Sequence, residues 1–495
     1  YENYYEYIEE LGADRDGYVL TNFPYLNNGP KDLIGNSGKG KEYAYRSYFG
    51  RVMYSYADRY LFQANIRHDG SSRFAKKHRW GTFPSFSAGW VLSEENFMKN
   101  LNWDWLSFLK IRATWGALGN ERIGDFPYMS TIAFGNTIFY QNNGIYFDQT
   151  ASQQKYAIEN VTWEKTESTD IGLDISFLNN RLRVNGDYYW KNTKDMLLAM
   201  AIPDFLGFSD PDVNAGKMST KGYELNVSWN DHIGDFIYGI AINFSDFTSK
   251  MGDLQGTQFL GDKVKMEGSE FNEWYGYVSD GLFLTEEDLK NSPKINDKNT
   301  QLGDIKYKDI SGPDGVPDGK ISPEYDRVLL GSSLPHFLYG GNINLGYKNF
   351  DLSFAFQGVG KQNARLAREM VEPFRNNYGN FPAIIDGNYW SPYNTDEQNA
   401  VAKYPRLTHV NKSSNYAMSD YWLFNGGYFR LKNITLGYTF PKEWMNAIGI
   451  KGARIYASAS DLFCLSKYPK GWDPEMGVSE YPITTSILLG VSVNF

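Results

Sequence analysis

The chain has one cysteine, Cys464, in 495 residues. One thiol closes no internal disulfide, so no bridged framework is expected. Long apolar runs are also lacking. No window approaches the roughly 18 to 20 consecutive apolar residues of a spanning helix. The opening stretch, "YENYYEYIEELG", has no initiator methionine, basic segment or apolar signal core, and a mature or truncated chain is the expectation. Histidine is scarce: His68, His78, His232, His336 and His409 are scattered, with no HExxH-type spacing. There is no GxSxG elbow and no Walker loop, and "GKGK" at Gly38 is too short to cradle a phosphate. The sequon-like "NVT" at Asn160 carries no weight. A net charge of −9 argues against nucleic acid as a partner. Neither catalysis nor an organic cofactor has support in these patterns.

Aromatic residues and glycine are plentiful. Tyr, Phe and Trp make up 17 % of the chain, and there are 48 glycines, which suit turns and sheet bends. Period-2 alternation recurs throughout. In "YLFQANIRH", Tyr60, Phe62, Ala64 and Ile66 alternate with Leu61, Gln63, Asn65 and Arg67. The same rhythm runs through Leu109–Trp115, Asp170–Phe177, Arg181–Lys191, Tyr223–Trp229, Phe236–Phe244, Phe337–Tyr347, Phe350–Phe356 and Ile434–Phe440. Such alternation predicts strands with one apolar and one polar face. About thirteen are expected, many near the 9 to 11 residues of a tilted membrane strand. In "FRLKNITLGYTF" the phase flips between Leu431 and Ile434, which reads as a bulge. The last ten residues, "SILLGVSVNF", place Ile487, Leu489, Val491, Val493 and Phe495 on one face and Ser486, Gly490, Ser492 and Asn494 on the other, with Leu488 out of phase.

The turns "FLNNRL", "WNDHIGD" and "GYKNFD" carry hairpin residues. Other connections are long, roughly residues 119–160, 248–335 and 360–426. Short turns at one end and long loops at the other are the asymmetry of an outer-membrane barrel. A soluble β-sandwich alternates in the same way. Numerous long strands, aromatic strand ends and a polar face rich in Gly, Ser and Asn favour the barrel. Negative mean hydropathy does not oppose it, because barrel strands are only half apolar.

Seven segments, in order, resemble the SusC/RagA family of TonB-dependent outer-membrane transporters. They begin with "RHDGSSRFAKKHRWGTFPSFSAGWVLSEENFM", "LKIRATWGALGNERIGDFPYMST" and "WEKTESTDIGLDISFLNNRLRVNGDYYWKNTKDML". "EWYGYVSDGLF", "YWSPYNTDEQNAVAKYPRL", "YFRLKNITLGYTFP" and "DLFCLSKYPKGWDPEM" follow. The resemblance implies an all-β, antiparallel transmembrane barrel of 22 strands with short periplasmic turns, long extracellular loops and an N-terminal plug. This chain matches its C-terminal part. Residues 1–42 are expected as a loop and strand lead-in, and 43–495 as C-terminal barrel strands and loops. The plug and first strands are expected outside this chain. The last strand would then face lipid with its apolar side, pair with a strand absent here, and leave the 495-residue piece unstable alone in detergent.

Two sets of site residues follow. "DISGPDGVPDGKISPEYDR" stands where related transporters carry an acidic loop, similar to a calcium loop. Hard cations such as Ca²⁺ take six to eight oxygens. Asp309, Asp314, Asp318 and Asp326 would give carboxylates and Lys320 a backbone carbonyl. The inserted prolines depart from the pattern, and a solvated acidic turn without an ion fits equally. For substrate, aromatic platforms hold sugars while polar groups fix hydroxyls. Trp274, Tyr275, Trp390, Tyr393 and Trp472 are the candidates, with loop bracing as the alternative for each.

The resemblance implies an importer of oligosaccharides or peptides, energised through TonB acting on the plug. Its partners would be a SusD-like surface lipoprotein as lid, membrane lipid and, in some members, a second such pair forming a dimer. The competing reading is a surface β-protein that binds glycans or mediates adhesion without transport.

Overall fold

A computed structural model describes residues 1–18, 22, 25–28, 30, 34–141, 144–153, 156–200, 202, 204–256, 260–296, 298–375, 381–476, 480–481 and 483–495. Fourteen strands share one sheet: β1 Glu2–Arg15, β2 Ile34–Tyr56, β3 Tyr60–Ser71, β4 Trp80–Val91, β5 Leu106–Asn120, β6 Glu164–Phe177, β7 Leu182–Lys194, β8 Met218–Ile233, β9 Phe236–Met251, β10 His336–Tyr347, β11 Phe350–Lys361, β12 Tyr428–Thr439, β13 Gly452–Ser466 and β14 Ser486–Asn494. Their order in the sheet is their order in the sequence. Among the described residues no helix is long and apolar enough to cross a membrane, which says nothing about strands.

The chain forms two compact units. The first comprises residues 1–89, 113–169 and 191–218. Here β1 pairs with β2 from Glu2↔Ser47 to Arg15↔Ile34, whereas β2 pairs with β3 only from Tyr45↔Ser71 to Tyr56↔Tyr60. The β1–β2 hairpin therefore runs on past the end of β3. Residues 1–42 hold β1 and the start of β2 (residues 19–21, 23–24, 29 and 31–33 lie outside the described residues). Phe74, Phe83, Ile123, Val161 and Trp163 form a small core in this unit. The Trp163 indole N–H donates to the Arg79 carbonyl at 3.0 Å. Arg73 lies 4.6 Å over the Tyr43 ring and pairs with Asp125 at 3.1 Å. The connection 121–163 carries its own hairpin, Ile132–Gln141 with Gly144–Gln153, whose Phe134, Ile138 and Phe147 are exposed.

The second unit comprises residues 90–112, 170–190 and 219–495. Its tight turns use left-handed backbone at Leu178, Asn179 and Asn180 and at Lys348, the twist that suits two-residue and three-residue hairpins. Across β11, β12, β13 and β14 the register aligns Leu352, Leu436, Ala457 and Leu489 on one face. Phe354, Ile434, Ala459 and Ile487 form a parallel row on that face. Leu436, Ala457, Ile487 and Leu489 stay exposed, Leu489 at 85 %, and Leu352, Phe354, Ile434 and Ala459 are half-buried. A continuous apolar sheet face open to the surroundings suits hydrocarbon as its solvent. Asp351, Gly437, Tyr456 and Gly490 align on the opposite face, and Leu488 falls in its polar row. Gly437 is required there: a Cβ would stand 2.3 Å from the Arg454 guanidinium, which crosses the strand to reach Asp351 at 2.6 Å.

The bulge read in β12 is present. Ala355 pairs with Asn433 and Phe356 with Leu431, skipping Lys432. Its ammonium meets Asp461 at 2.7 Å, opposite the matching irregularity in β13. Further into that polar face, Arg112 gathers Asp187 at 2.7 Å and both Asp170 and Asp174 at 3.4 Å.

Candidate functional site

Between β9 and β10, and again between β11 and β12, the chain leaves the sheet for residues 252–335 and 362–427. These connections are not loose. They bury one core, in which Tyr277, Ile305 and Tyr307 from the first meet Val371, Tyr416 and Trp422 from the second. Strand pairing is made within them at 263–264 with 273–276 and 328–331, and at 363–365 with 423–425. A parallel bridge joins Tyr277 to Ser419. Gly276 makes that approach possible, since a Cβ would lie 2.2 Å from the Met418 carbonyl oxygen. Burial pushes the Tyr307 and Tyr416 phenols well above the usual tyrosine range.

Asp304 is the hub of this assembly and is fully buried. Arg406 grips it with Nε at 2.7 Å and Nη2 at 3.2 Å. The side-chain amides of Asn411 and Asn415 each donate to it at 2.9 Å, and the Gln301 N–H at 2.9 Å. The Asn415 Oδ1 accepts from the Ile305 N–H at 2.9 Å, and the Trp422 indole donates to the Asn415 carbonyl at 2.9 Å. A buried carboxylate is tolerable only when its lone pairs are filled in this way. None of these residues stands out in the sequence, because the side-chain partners of Asp304 lie 102 to 111 positions away.

The structure does not gather the five aromatic candidates into one site. Trp390 is partly a brace: it packs on the core, and a Cβ on Gly303 would stand 2.3 Å from its ring. It also lines a cleft of about 590 Å³ with Tyr389, Tyr393, Glu286, Gln301 and Arg406. Tyr393 is 96 % exposed on a turn held by Asn399, which accepts from the Ser391 N–H at 3.1 Å and donates to the Ser391 carbonyl at 2.9 Å. A rigid turn presenting an exposed aromatic has little entropy left to lose on binding. Trp274 lines a different pocket and donates its indole N–H to the Asn363 carbonyl at 2.5 Å. Tyr275 is covered by Arg327, 4.7 Å over its ring, and Trp472 packs against the loop core.

The acidic turn also differs from expectation. Among the described residues no three of His, Cys, Asp and Glu come together as a metal-holding group. Asp326, expected as a ligand, is fully buried and spent on backbone: it accepts from the N–H of Ile310 at 2.7 Å, Ser311 at 3.2 Å and Ser322 at 2.6 Å. Position 326 therefore closes the turn. Asp309 accepts from the Gly319 N–H at 2.5 Å through Oδ2, while its Oδ1 is buried without a hydrogen-bond partner. Asp318 accepts from the Lys320 N–H at 3.0 Å, and Asp314 is exposed.

The sequence profile described as "TonB dependent receptor-like, beta-barrel" matches residues 3–462. TonB-dependent receptor SusC of Bacteroides thetaiotaomicron is 32 % identical over 468 residues, 91 % of this chain and 43 % of that protein. TonB-dependent receptor P3 of Formosa agariphila is 31 % identical over 453 residues, 87 % of this chain and 42 % of that protein. Among solved structures, the RagAB peptide transporter superposes with a TM-score of 0.78 at 23 % identity, covering 99 % of this chain and 52 % of that one, a likeness of fold. The chain thus spans about half the length of the relatives it matches. With the two-faced sheet, the profile match over most of the chain shows that it belongs to the TonB-dependent receptor-like β-barrel family, a family of outer-membrane barrels, with SusC among its relatives.

Proposed function

We propose that this chain is the wall and loop assembly of an importer driven through TonB, taking up oligosaccharides or peptides beneath a SusD-like lipoprotein lid. The observation that carries the reading is the buried core shared by connections 252–335 and 362–427. Loops that fold as a body around Asp304 form a fixed rim on which a lid closes, whereas simple gating loops need no core. The relatives named TonB-dependent receptor support the drive, and the likeness to the RagAB peptide transporter supports carriage of a bulky solute. TonB would act through a plug domain, and lid and barrel would assemble as pairs. Trp274, Trp390 and Tyr393 are the aromatic contacts assigned to the solute. Deleting the barrel gene and the lid gene separately should each abolish growth on one glycan or peptide source. Normal growth of both deletions on every such source would overturn import and leave adhesion or surface binding as the reading.

Calcium belongs to the same proposal. Asp309 and Asp318 flank one turn and would hold the ion with backbone carbonyls, while Asp326 keeps the backbone in place. The partnerless, buried Asp309 Oδ1 supports this, since a buried carboxylate oxygen otherwise carries an uncompensated cost. Calorimetric titration of Ca²⁺ into the full-length protein should give binding that Asp309→Asn removes. Absence of heat, or heat unchanged in Asp309→Asn, would leave the turn as a purely hydrogen-bonded one.

A further inference from the structure

The protein carries a net charge of −9, yet one pocket on its loop assembly reverses that sign locally. It has a volume of about 380 Å³ and is lined by Lys263, Arg365 and Arg368, with Trp274, the Gln362 amide and the Tyr468 hydroxyl among its walls. One carboxylate, Glu369, lines it too, and that group is already paired with Arg375. Three long connections build the pocket: Lys263 and Trp274 from 252–335, Gln362, Arg365 and Arg368 from 362–427, and Tyr468 from 467–485.

Two of its cations are incompletely satisfied. Arg368 is matched, by Glu372 at 2.6 Å. Arg365 spends Nη1 on Asp262 and offers Nη2 to the Tyr416 carbonyl at 3.3 Å, but its Nε is buried with no acceptor. Lys263 makes no ion pair among the described residues; its ammonium sits 4.5 Å over the Trp274 ring. Leaving a buried donor unpaired costs free energy, and an ammonium on an aromatic face without a counter-ion is an incomplete arrangement. An oxyanion in the pocket would give the Lys263 ammonium the counter-ion it lacks, beside the guanidinium of Arg365, whose buried Nε adds to the positive field there.

We infer that this pocket binds an oxyanion group on the carried solute, a carboxylate presented by an acidic sugar or by a peptide C-terminus. This deepens the import reading and rests on it for the biological ligand. Partial desolvation of the ammonium beside the Trp274 ring lowers the pKa of Lys263. The protonated amine is the binding form, so affinity falls as pH rises through that lowered value, sooner than for an ordinary lysine. Trp274 gains a role beyond bracing: it forms the floor under the ammonium.

The test uses the full-length protein in detergent, with tryptophan fluorescence and calorimetry. The probes are glucuronic acid and N-acetylalanine, each against its neutral counterpart, glucose and N-acetylalanine amide. At least one carboxylate should bind while its neutral counterpart does not, and which one binds tells the sugar source from the peptide source. Lys263→Met should weaken that binding about tenfold or more, and Lys263→Arg should keep it. Lys263 is exposed and pairs with no carboxylate, so both variants should melt like the parent protein. Equal binding of charged and neutral probes, no binding of either carboxylate, or unchanged binding in Lys263→Met overturns the inference. Uptake in cells is scored separately: carboxylate binding without uptake counts against import alone, and uptake without carboxylate binding counts against the pocket alone.

Discussion

Asp304→Ala is expected to open the loop assembly while the strands beneath it stay paired. Asp304 is fully buried and takes hydrogen bonds from Arg406, Asn411, Asn415 and the Gln301 backbone. Alanine leaves the Arg406 guanidinium and two amides facing a cavity with nothing to accept their protons. Removing one partner of a buried ion pair costs about 3–5 kcal/mol, and each stranded donor adds to it. Asn415 also holds the Ile305 backbone, so the loss spreads into the short strand at 305–307. Limited proteolysis of the folded, detergent-purified full-length protein reads the effect. Cleavage inside 252–335 and 362–427 should rise about a hundredfold or more, because attack on an opened segment follows its opening equilibrium. Asp304→Asn keeps the shape but not the charge and should fall between the two. Parental cleavage rates in Asp304→Ala would mean that the hub does not hold the loops together, and the fixed-rim reading would fail with it.

Gly358→Val should damage the wall itself. Gly358 lies on β11 opposite Tyr339 on β10 and Phe429 on β12. A Cβ there would stand 2.4 Å from the Tyr339 ring and 2.4 Å from the Tyr428 carbonyl oxygen. The ring can swing away, at the expense of its 3.2 Å hydrogen bond to that same carbonyl. The carbonyl cannot move without shifting β12 against β11. Overpacking of this kind costs about 3 kcal/mol or more when backbone must yield. Folded outer-membrane barrels resist detergent and migrate differently from heated ones in electrophoresis, so the heat-modifiable fraction measures assembly. That fraction should drop sharply in Gly358→Val and only partly recover in the double variant with Tyr339→Ala, since the carbonyl clash remains. Full recovery on removing the ring would show that the aromatic, not the strand backbone, sets the limit.

Much of the wall was legible in the sequence. A strand with one face to hydrocarbon and one to polar groups must alternate, and β11, β12 beyond its bulge and β14 apart from Leu488 do so. The phase flip at Lys432 showed as a bulge for the same reason, because an extra residue reverses every later side chain. Strand β1 was not legible. Tyr4, Tyr5, Tyr7, Ile8 and Leu11 are all exposed, so no buried face imposes a period on them. Of the site, the aromatic loops and the acidic turn were visible as composition, but their roles were not. The family resemblance suggests Asp326 as a metal ligand, and in the structure it clamps a turn, because which N–H groups meet a carboxylate depends on how the chain folds back.

By itself the sequence determined an all-β class: alternation, aromatic strand ends, Asn- and Gly-bearing turns and long connections favour a membrane sheet over a sandwich, since each follows from local geometry and from the solvent on either face. Only the tertiary structure decided what the connections do. Asp304 with Arg406, and Lys263 with Arg365 and Tyr468, are brought together across long stretches of chain. No period or spacing encodes such meetings. They arise when two loops bury a common core, and burial then makes each polar group's choice of partner energetically decisive.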